Sequence, residues 1–206
     1  MRAILDRIRQ MKYYKNHAAS SGNVHNVAKH EDAVEDIFYN FGLERIERQI
    51  TLAQRDEWMR SNVAPDLPDN SFLSQPCGTH NSPDFIVKIN GTLYFIECKS
   101  AKAGTPMYNS GVPKPEYIYA LCSEKYDETT IYWGADVLES EHEKAIHEHI
   151  EEARLRDQEF NERFVNDHGI SYYTRPMIQH KGTKEIKDYF LNPRRKELEQ
   201  RVLDGV

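Results

Sequence analysis

Cysteine is scarce in this chain, and its spacing argues against zinc sites and disulfide frameworks. The three cysteines are Cys77, Cys98 and Cys122, and no two of them form a CxxC pair. An odd number of widely spaced cysteines fits a reducing compartment. The sequence also lacks glycine-rich phosphate loops, GxSxG elbows, HExxH pairs and internal repeats. We therefore expect no structural zinc and no nucleotide cofactor.

Long apolar runs are absent as well. No stretch approaches the roughly 20 apolar residues that a membrane-spanning helix requires. Arg2, Arg7 and Arg9 lie in the N-terminal segment, and no apolar signal-peptide core follows them. The sequence therefore predicts a soluble, cytoplasmic protein without a membrane partner. Its 206 residues, 39% of them hydrophobic, suffice for a folded core, and we expect one domain with a core over about 27–178 and added helical segments at both termini.

Net positive charge is also lacking. Lysine and arginine number 27 against 33 aspartates and glutamates, which gives a net charge of −6. This weakens the case for a nucleic-acid partner, because phosphate contacts need cations. The charges are segregated, however, since glutamates crowd between Glu139 and Glu162. Basic residues concentrate near the two ends, at Arg2, Arg7, Arg9, Lys12, Lys15, Arg194, Arg195, Lys196 and Arg201. Binding depends on the distribution of charge, so DNA is not excluded.

What the sequence does contain is a strong hairpin signal at Asn90-Gly91. This dipeptide separates two runs rich in β-branched and aromatic residues, a pattern typical of a hairpin with a type I′ turn. With Asn90 and Gly91 as the loop, Asp84 faces Glu97. Side chains alternate along strands, so Ser82 and Lys99 face each other one step further along the same side. The sequence therefore predicts that two carboxylates and a lysine converge on one spot.

These residues have the chemistry of a hard-cation site. Mg²⁺ prefers oxygen ligands, and the carboxylates of Asp84 and Glu97 and the backbone carbonyl of Cys98 are candidates. Such an ion lowers the pKa of bound water and stabilises charge on a phosphoryl oxygen. Lys99 is placed to orient or help deprotonate the attacking water. The residues thus predict metal-assisted phosphodiester hydrolysis.

The competing interpretation is an ordinary hairpin with a solvated charged face. The same face also carries Ile86, Leu93 and Phe95, so it is at least partly buried. Buried charges are costly unless they are paired or bind an ion. This favours the functional interpretation.

Pro83-Asp84 followed by Glu97-Cys98-Lys99 resembles the PD-(D/E)xK nuclease superfamily, whose largest group is the type II restriction endonucleases. The resemblance covers about residues 75–123 and is only architectural elsewhere. It implies an α/β fold with a restriction-endonuclease-like core, in which a central mixed β-sheet is flanked by helices. By the same resemblance Asp84 and Glu97 would hold Mg²⁺, and Lys99 would assist the nucleophilic water. A source in a bacterium, archaeon or phage is implied as well.

The superfamily usually has a glutamate on a preceding helix, and this sequence offers Glu31. Helical spacing over residues 27–41 gives an apolar stripe whose missing position is Glu31. The stripe consists of Val27, Val34, Ile37, Phe38 and Phe41. A carboxylate on an apolar face has a partner or a function, so Glu31 looks like the helical acid that reaches the metal. Glu35, one turn later, is the alternative.

Candidate DNA contacts lie in the segments that flank the hairpin. The loop before it and the residues after Lys99 would sit near a bound duplex, because loops beside a catalytic strand often carry function. Asparagine can pair with adenine, and lysine with guanine or phosphate. The candidates are Gln75, Thr79, His80, Ser82, Ser100, Lys102, Tyr108, Asn109, Ser110 and Lys114.

Patterns elsewhere predict the remaining elements. Glycine and proline over 101–116 disfavour a helix there, which leaves the strand order open. We expect helices over 3–14, over 52–62 with Thr51 as N-cap, from Ser140 to near Gly169, and after Asn192-Pro193; a loop over 17–26; and strands over 117–122, 130–133 and 170–178.

Three functions compete on this evidence. The first is a type II restriction endonuclease that uses Mg²⁺ to cut both strands of a short site in double-stranded DNA as a homodimer, because two-fold sites are matched by two-fold protein symmetry. The second is a structure-specific or non-specific repair or phage nuclease of the same superfamily. The third is a non-catalytic DNA-binding protein.

Overall fold

A mixed β-sheet of six strands forms the centre of the computed structural model, which describes residues 1–21, 29–109, 111–164 and 169–206. A separate pair of short strands, β5 and β8, lies outside this sheet. The strands are β1 (Glu44–Arg45), β2 (Ser71–Ser74), β3 (Phe85–Ile89), β4 (Thr92–Ala101), β5 (Met107–Tyr108), β6 (Tyr117–Ser123), β7 (Glu128–Trp133) and β8 (Ile178–Gln179).

Helices cover both faces of the sheet, so the chain is mixed α/β, as the sequence predicts. Two 3₁₀ turns, Gly134–Asp136 and Tyr189–Leu191, supplement the helices. The helices are α1 (Arg2–Arg9), α2 (Tyr14–Ser21), α3 (His30–Asn40), α4 (Leu52–Ser61), α5 (Ser140–Arg163), α6 (Lys184–Lys187) and α7 (Arg195–Asp204).

The strand order of the large sheet is β1-β2-β3-β4-β6-β7. β1 runs parallel to β2 and β4 runs parallel to β6, while the other neighbours are antiparallel. Parallel neighbours need a crossover connection. Between β4 and β6 the described residues of this crossover contain the short strand β5 and no helix, in agreement with its glycine and proline content.

The hairpin of β3 and β4 has the predicted register. Ile89 pairs with Thr92 and Phe85 pairs with Ile96, which leaves Asn90 and Gly91 as the loop. Their φ angles are +51° and +77°, and a type I′ turn requires positive φ at both positions. The turn chemistry therefore fixes which residues face each other as far as the open end of the hairpin.

Two apolar layers hold the sheet. On one face, α1, α3 and α7 pack against β3, β4, β6 and β7. On the other, α4 and the turn Tyr189–Leu191 cover residues that include Ile86, Leu93 and Phe95. The face that carries Glu97 is therefore buried over most of its length, as expected from those three side chains.

The N-terminal prediction was wrong in part. Instead of one helix over 3–14, two helices form, and α2 occupies residues 17–21 of the expected loop. The rest of that loop, 22–26, lies outside the described residues. Asp127 explains the break, because its Oδ1 accepts the Tyr13 N–H at 2.9 Å and an Asn16 side-chain N–H at 3.2 Å. These contacts with a distant turn cannot be read from helical periodicity.

The expected last strand over 170–178 was also wrong, since only Ile178–Gln179 pairs as a strand. Side chains of α5 hold the preceding backbone instead. Asn161 bonds both the N–H and the carbonyl of Tyr172, and Asp157 accepts the Thr174 N–H. The segment therefore lies along α5 and not in the sheet.

Other elements agree with the sequence. α4 begins at Thr51, whose side chain accepts the Gln54 N–H, and β6 and β7 match their predicted strands. α5 begins at Ser140 but ends at Arg163, short of Gly169, and has no buried residue. In the described part of the chain, no helix combines the length and the apolar character needed to cross a bilayer.

Candidate active site

Asp84 stands at the open end of the hairpin, directly before β3. Its backbone carbonyl accepts the Gln75 N–H at 2.7 Å. The carboxylate reaches across to β4, where Oδ2 accepts the Cys98 N–H at 2.7 Å, while Oδ1 accepts the Gln75 side-chain amide at 3.3 Å. Cys98 of β4 and Gln75, directly after β2, thus fix the position of this carboxylate.

Glu97 and Lys99 form a largely buried ion pair on β4. Lys99 Nζ lies 2.7 Å from Glu97 Oε1, and the side chains are only 12% and 8% exposed. The second carboxylate oxygen, Glu97 Oε2, is buried and has no hydrogen-bond partner among the described residues. Cys98, between them, points to the opposite face and is buried in the layer of α3. An unpaired buried carboxylate oxygen is costly without a further cation or donor.

The electrostatics of this spot favour a bound cation. Burial, together with the negative charges of Glu97 and Glu31, raises the pKa of Asp84 to about 8, although the Cys98 N–H and Lys99 act in the opposite direction. The carboxyl group of Asp84 therefore does not ionise easily near neutral pH. A positive ion between them would relieve that cost.

Glu31 and Glu35 of α3 have different surroundings. Glu31 is half-buried and lines the same cleft as Asp84 and Glu97. Glu35 instead pairs with Arg45 at 2.7 Å and accepts hydrogen bonds from Tyr39 and Ser74. The geometry therefore brings Glu31, and not Glu35, to the cleft.

The apolar stripe that led to Glu31 is only partly as expected. Ala33, Val34, Ile37 and Phe38 form the buried face of α3. Phe41, the proposed end of the stripe, is 45% exposed, because the helix has already ended at Asn40. Val27, its proposed start, lies outside the described residues.

A cleft of about 620 Å³ opens over these acids. One wall consists of the hairpin end, the loop before it and Glu31. The other consists of the crossover after β4 and the segment that leads into β8. The lining residues are Glu31, Thr79, His80, Asn81, Asp84, Glu97, Cys98, Lys99, Ser100, Ala101, Lys102, Ala103, Thr105, Met107, Asn109, Arg175 and Met177.

Half of the candidate DNA contacts line this cleft: Thr79, His80, Ser100, Lys102 and Asn109. Gln75 donates a hydrogen bond to Asp84 and lines a neighbouring cavity together with Thr79 and Ser100. Ser82 is half-buried near Lys99, and its carbonyl accepts a hydrogen bond from Arg55 at 2.9 Å.

Two candidates are placed elsewhere. Tyr108 does not lie where a DNA contact was expected, because it is 3% exposed and its hydroxyl bonds that of Tyr132 at 3.0 Å inside the core. Lys114 does not line the cleft; it is half-buried, and burial followed by the charge of Arg55 lowers its pKa. Ser110 lies outside the described residues.

Arg175 is a charged cleft residue that sequence reasoning missed. It is far from the hairpin in sequence, and the pairing of β8 with β5 brings it there. The segment 170–178 was expected to be an ordinary strand, so no local pattern marks Arg175. Only the tertiary arrangement identifies it.

The donor set suits Mg²⁺. In the described ranges no group of three or more His, Cys, Asp and Glu side chains is arranged to hold a metal. Mg²⁺, however, usually binds one or two carboxylates and keeps several waters. Asp84 and Glu97 provide that number, and the unpartnered Glu97 Oε2 is available as a ligand. The residues present therefore fit this ion.

No protein-family model, no curated protein and no solved structure matches this chain.

Proposed function

We propose that this chain is a Mg²⁺-dependent endonuclease that hydrolyses phosphodiester bonds of double-stranded DNA. The observation that carries the proposal is the meeting of Asp84, Glu97 and Lys99 at the end of one hairpin, in a cleft open to solvent. A hairpin with only a structural role would not need two partly or fully buried carboxylates, one of which has an oxygen, Glu97 Oε2, without a hydrogen-bond partner among the described residues.

The residues have separate roles in this proposal. Asp84 and Glu97 would hold Mg²⁺, with the Cys98 carbonyl and Glu31 as further ligands, direct or through water. When bound there, the ion would make water more acidic and stabilise charge on a phosphoryl oxygen. Lys99, held at 2.7 Å by Glu97, would orient the attacking water and offset the negative charge that develops on the phosphoryl group.

We assign the fold to the restriction-endonuclease-like class on the same grounds. The motif of Pro83-Asp84 and Glu97-Cys98-Lys99 resembles that of the PD-(D/E)xK superfamily. The sheet is consistent with this assignment, because the acidic hairpin adjoins the parallel strand β6 and helices cover both faces. The preferred function is therefore a type II restriction endonuclease that acts as a homodimer in the cytoplasm.

Plasmid cleavage tests the proposal and separates it from its alternatives. Purified protein is incubated with plasmid DNA and Mg²⁺, and a parallel sample contains EDTA. Discrete fragments that require Mg²⁺ are expected from a site-specific enzyme. A Mg²⁺-dependent smear would favour the non-specific or structure-specific nuclease, and intact plasmid with retained DNA binding would favour a non-catalytic DNA-binding protein.

A further inference from the structure

The cleft has a second wall that comes from a distant part of the chain. β5 pairs with β8 through Met107 with Gln179 and Tyr108 with Ile178. This small sheet brings Arg175 and Met177 to the side of the cleft formed by the crossover after β4. None of the residues given a role in hydrolysis lies on this wall.

A hydrogen bond to the backbone holds Arg175 on that wall. Its Nε donates to the Asn109 carbonyl at 3.0 Å, and the side chain is exposed. Within the described ranges, no carboxylate pairs with its guanidinium. The terminal nitrogens, with four N–H donors in a planar fork, therefore remain available to a ligand.

The charge of the cleft explains why such a cation is needed there. Three acidic residues, Asp84, Glu97 and Glu31, line the cleft, and those that are ionised repel phosphate. Lys99 is already paired with Glu97. Of the described cleft residues, Lys102 and Arg175 are the cations without a carboxylate partner, so they are the ones free to attract an anion.

We propose that Arg175 binds a backbone phosphate of the DNA in the cleft that Asp84 also lines. The proposal rests on the nuclease function and deepens it by adding a substrate-binding residue. The guanidinium fork matches two phosphate oxygens, which a single ammonium cannot do. Anchoring through Nε orients the fork and reduces the entropy that phosphate binding costs.

A purely structural role is the competing explanation, because the Arg175 to Asn109 bond could serve only to hold the wall. Salt dependence distinguishes the two. Removing a phosphate contact lowers the slope of log Kd against log salt concentration by about one. Loss of a structural bond changes the melting temperature and leaves that slope unchanged.

The experiment measures duplex binding in the cleavage-deficient Asp84→Asn background over a range of NaCl concentrations. Arg175→Ala should weaken binding about tenfold and lower the salt slope by about one. Arg156→Ala is the matched control, because Arg156 is an exposed arginine of α5 that does not line the cleft. It removes the same charge and should leave both quantities unchanged.

A second variant and a kinetic measurement test the role of Arg175 if the first variant does not fold. If Arg175→Ala unfolds, Arg175→Gln replaces it, since the glutamine amide can still donate to the Asn109 carbonyl. With Asp84 intact, Arg175→Ala should raise KM about tenfold and change kcat only slightly. Unchanged affinity, slope and KM in a protein that cleaves DNA would overturn the Arg175 assignment alone, as would equal losses in Arg156→Ala. Absence of Mg²⁺-dependent cleavage by the wild-type protein would instead overturn the nuclease function.

Discussion

The carboxylate of Asp84 is held by a hydrogen bond, but its ionisation is unfavourable in the folded protein. The Cys98 N–H fixes its carboxylate, yet burial and the charge of Glu97 raise its pKa to about 8. In the unfolded chain the same carboxyl ionises near pH 3.8. The folded, metal-free protein therefore binds more protons than the unfolded chain between these values, and this group favours unfolding increasingly as the pH rises.

The first prediction concerns how the stability of the metal-free protein changes with pH. In EDTA, the contribution of Asp84 to the free energy of unfolding should fall as the pH rises from about 4 to 8. Asp84→Asn should remove the dependence, so the variant becomes more stable than the wild type by an amount that grows with pH, on the order of a few kcal/mol at pH 8. Urea denaturation at a series of pH values measures the difference, and a constant difference would contradict the raised pKa.

Glu31 and Glu35 provide a matched pair on one helix. Glu31→Gln should lower the cleavage rate by about 10²-fold, because removal of a single electrostatic contributor commonly has that effect. Glu35→Gln should remove the ion pair with Arg45 and lower the free energy of unfolding by at most about 1 kcal/mol at this exposure. The cleavage rate should stay nearly unchanged. The reverse result would mean that the helical acid is one turn further along α3.

Lys99 should be needed for cleavage and not for metal binding. Lys99→Ala should be nearly inactive while still binding Mg²⁺ in calorimetric titration, because Asp84 and Glu97 keep their positions. Lys144→Ala, which removes an exposed lysine from α5, should retain activity. Loss of Mg²⁺ binding in Lys99→Ala would show that the ion pair with Glu97 builds the metal site itself.

At the scale of elements, the hairpin shows what a sequence can predict. Asn90-Gly91 fixes a turn, the turn fixes a register, and the register brings Asp84 opposite Glu97 without any long-range information. The break before α2 and the course of residues 170–178 were not predictable. Both depend on side chains of distant elements, Asp127 in one case and Asn161 with Asp157 in the other.

The same distinction applies to the site. Lys102 and Asn109 could be placed near Lys99 because they follow it closely in sequence. The inward orientation of Tyr108 could not, since it depends on the hydroxyl of Tyr132 on another strand. Arg175 was missed because the β5 and β8 pairing involves only two residues on each strand.

The turn itself can be tested. A Cβ at Gly91 would meet nothing within 4 Å, so only its φ of +77° opposes substitution. Gly91→Ala should lower the free energy of unfolding by about 1 kcal/mol. Gly91→Asn should cost less, because asparagine tolerates positive φ better. Equal stability of both variants and the wild type in chemical denaturation would argue against the type I′ turn.

At the scale of the whole molecule, the net charge of −6 requires that the proposed DNA binding be confined to a local cationic region. The acidic helix α5 has no buried residue, whereas Lys102 and Arg175, which have no carboxylate partner among the described residues, line the cleft. The overall negative charge thus opposes non-specific attraction of DNA, and the two cations of the cleft provide a local attraction.

The described residues of one chain hold one candidate catalytic centre, so cutting both DNA strands in one event needs two chains. We expect sedimentation to give twice the mass of one chain, and linear plasmid to form without accumulation of the nicked circle. A monomer that produces only nicked circles would contradict the restriction-type assembly while leaving the chemistry of the site unaffected.

The central claim is that Asp84 and Glu97 hold the Mg²⁺ that cleaves DNA, and one set of single-turnover cleavage rates tests it most directly. Wild-type protein, Asp84→Asn and Glu97→Gln are compared in Mg²⁺, with Glu57→Gln as the control because Glu57 is exposed on α4. We predict that both site variants lose cleavage by at least about 10²-fold while binding DNA as tightly as the wild type or more tightly, and that the control cleaves normally. Cleavage by Asp84→Asn at the wild-type rate would contradict the account.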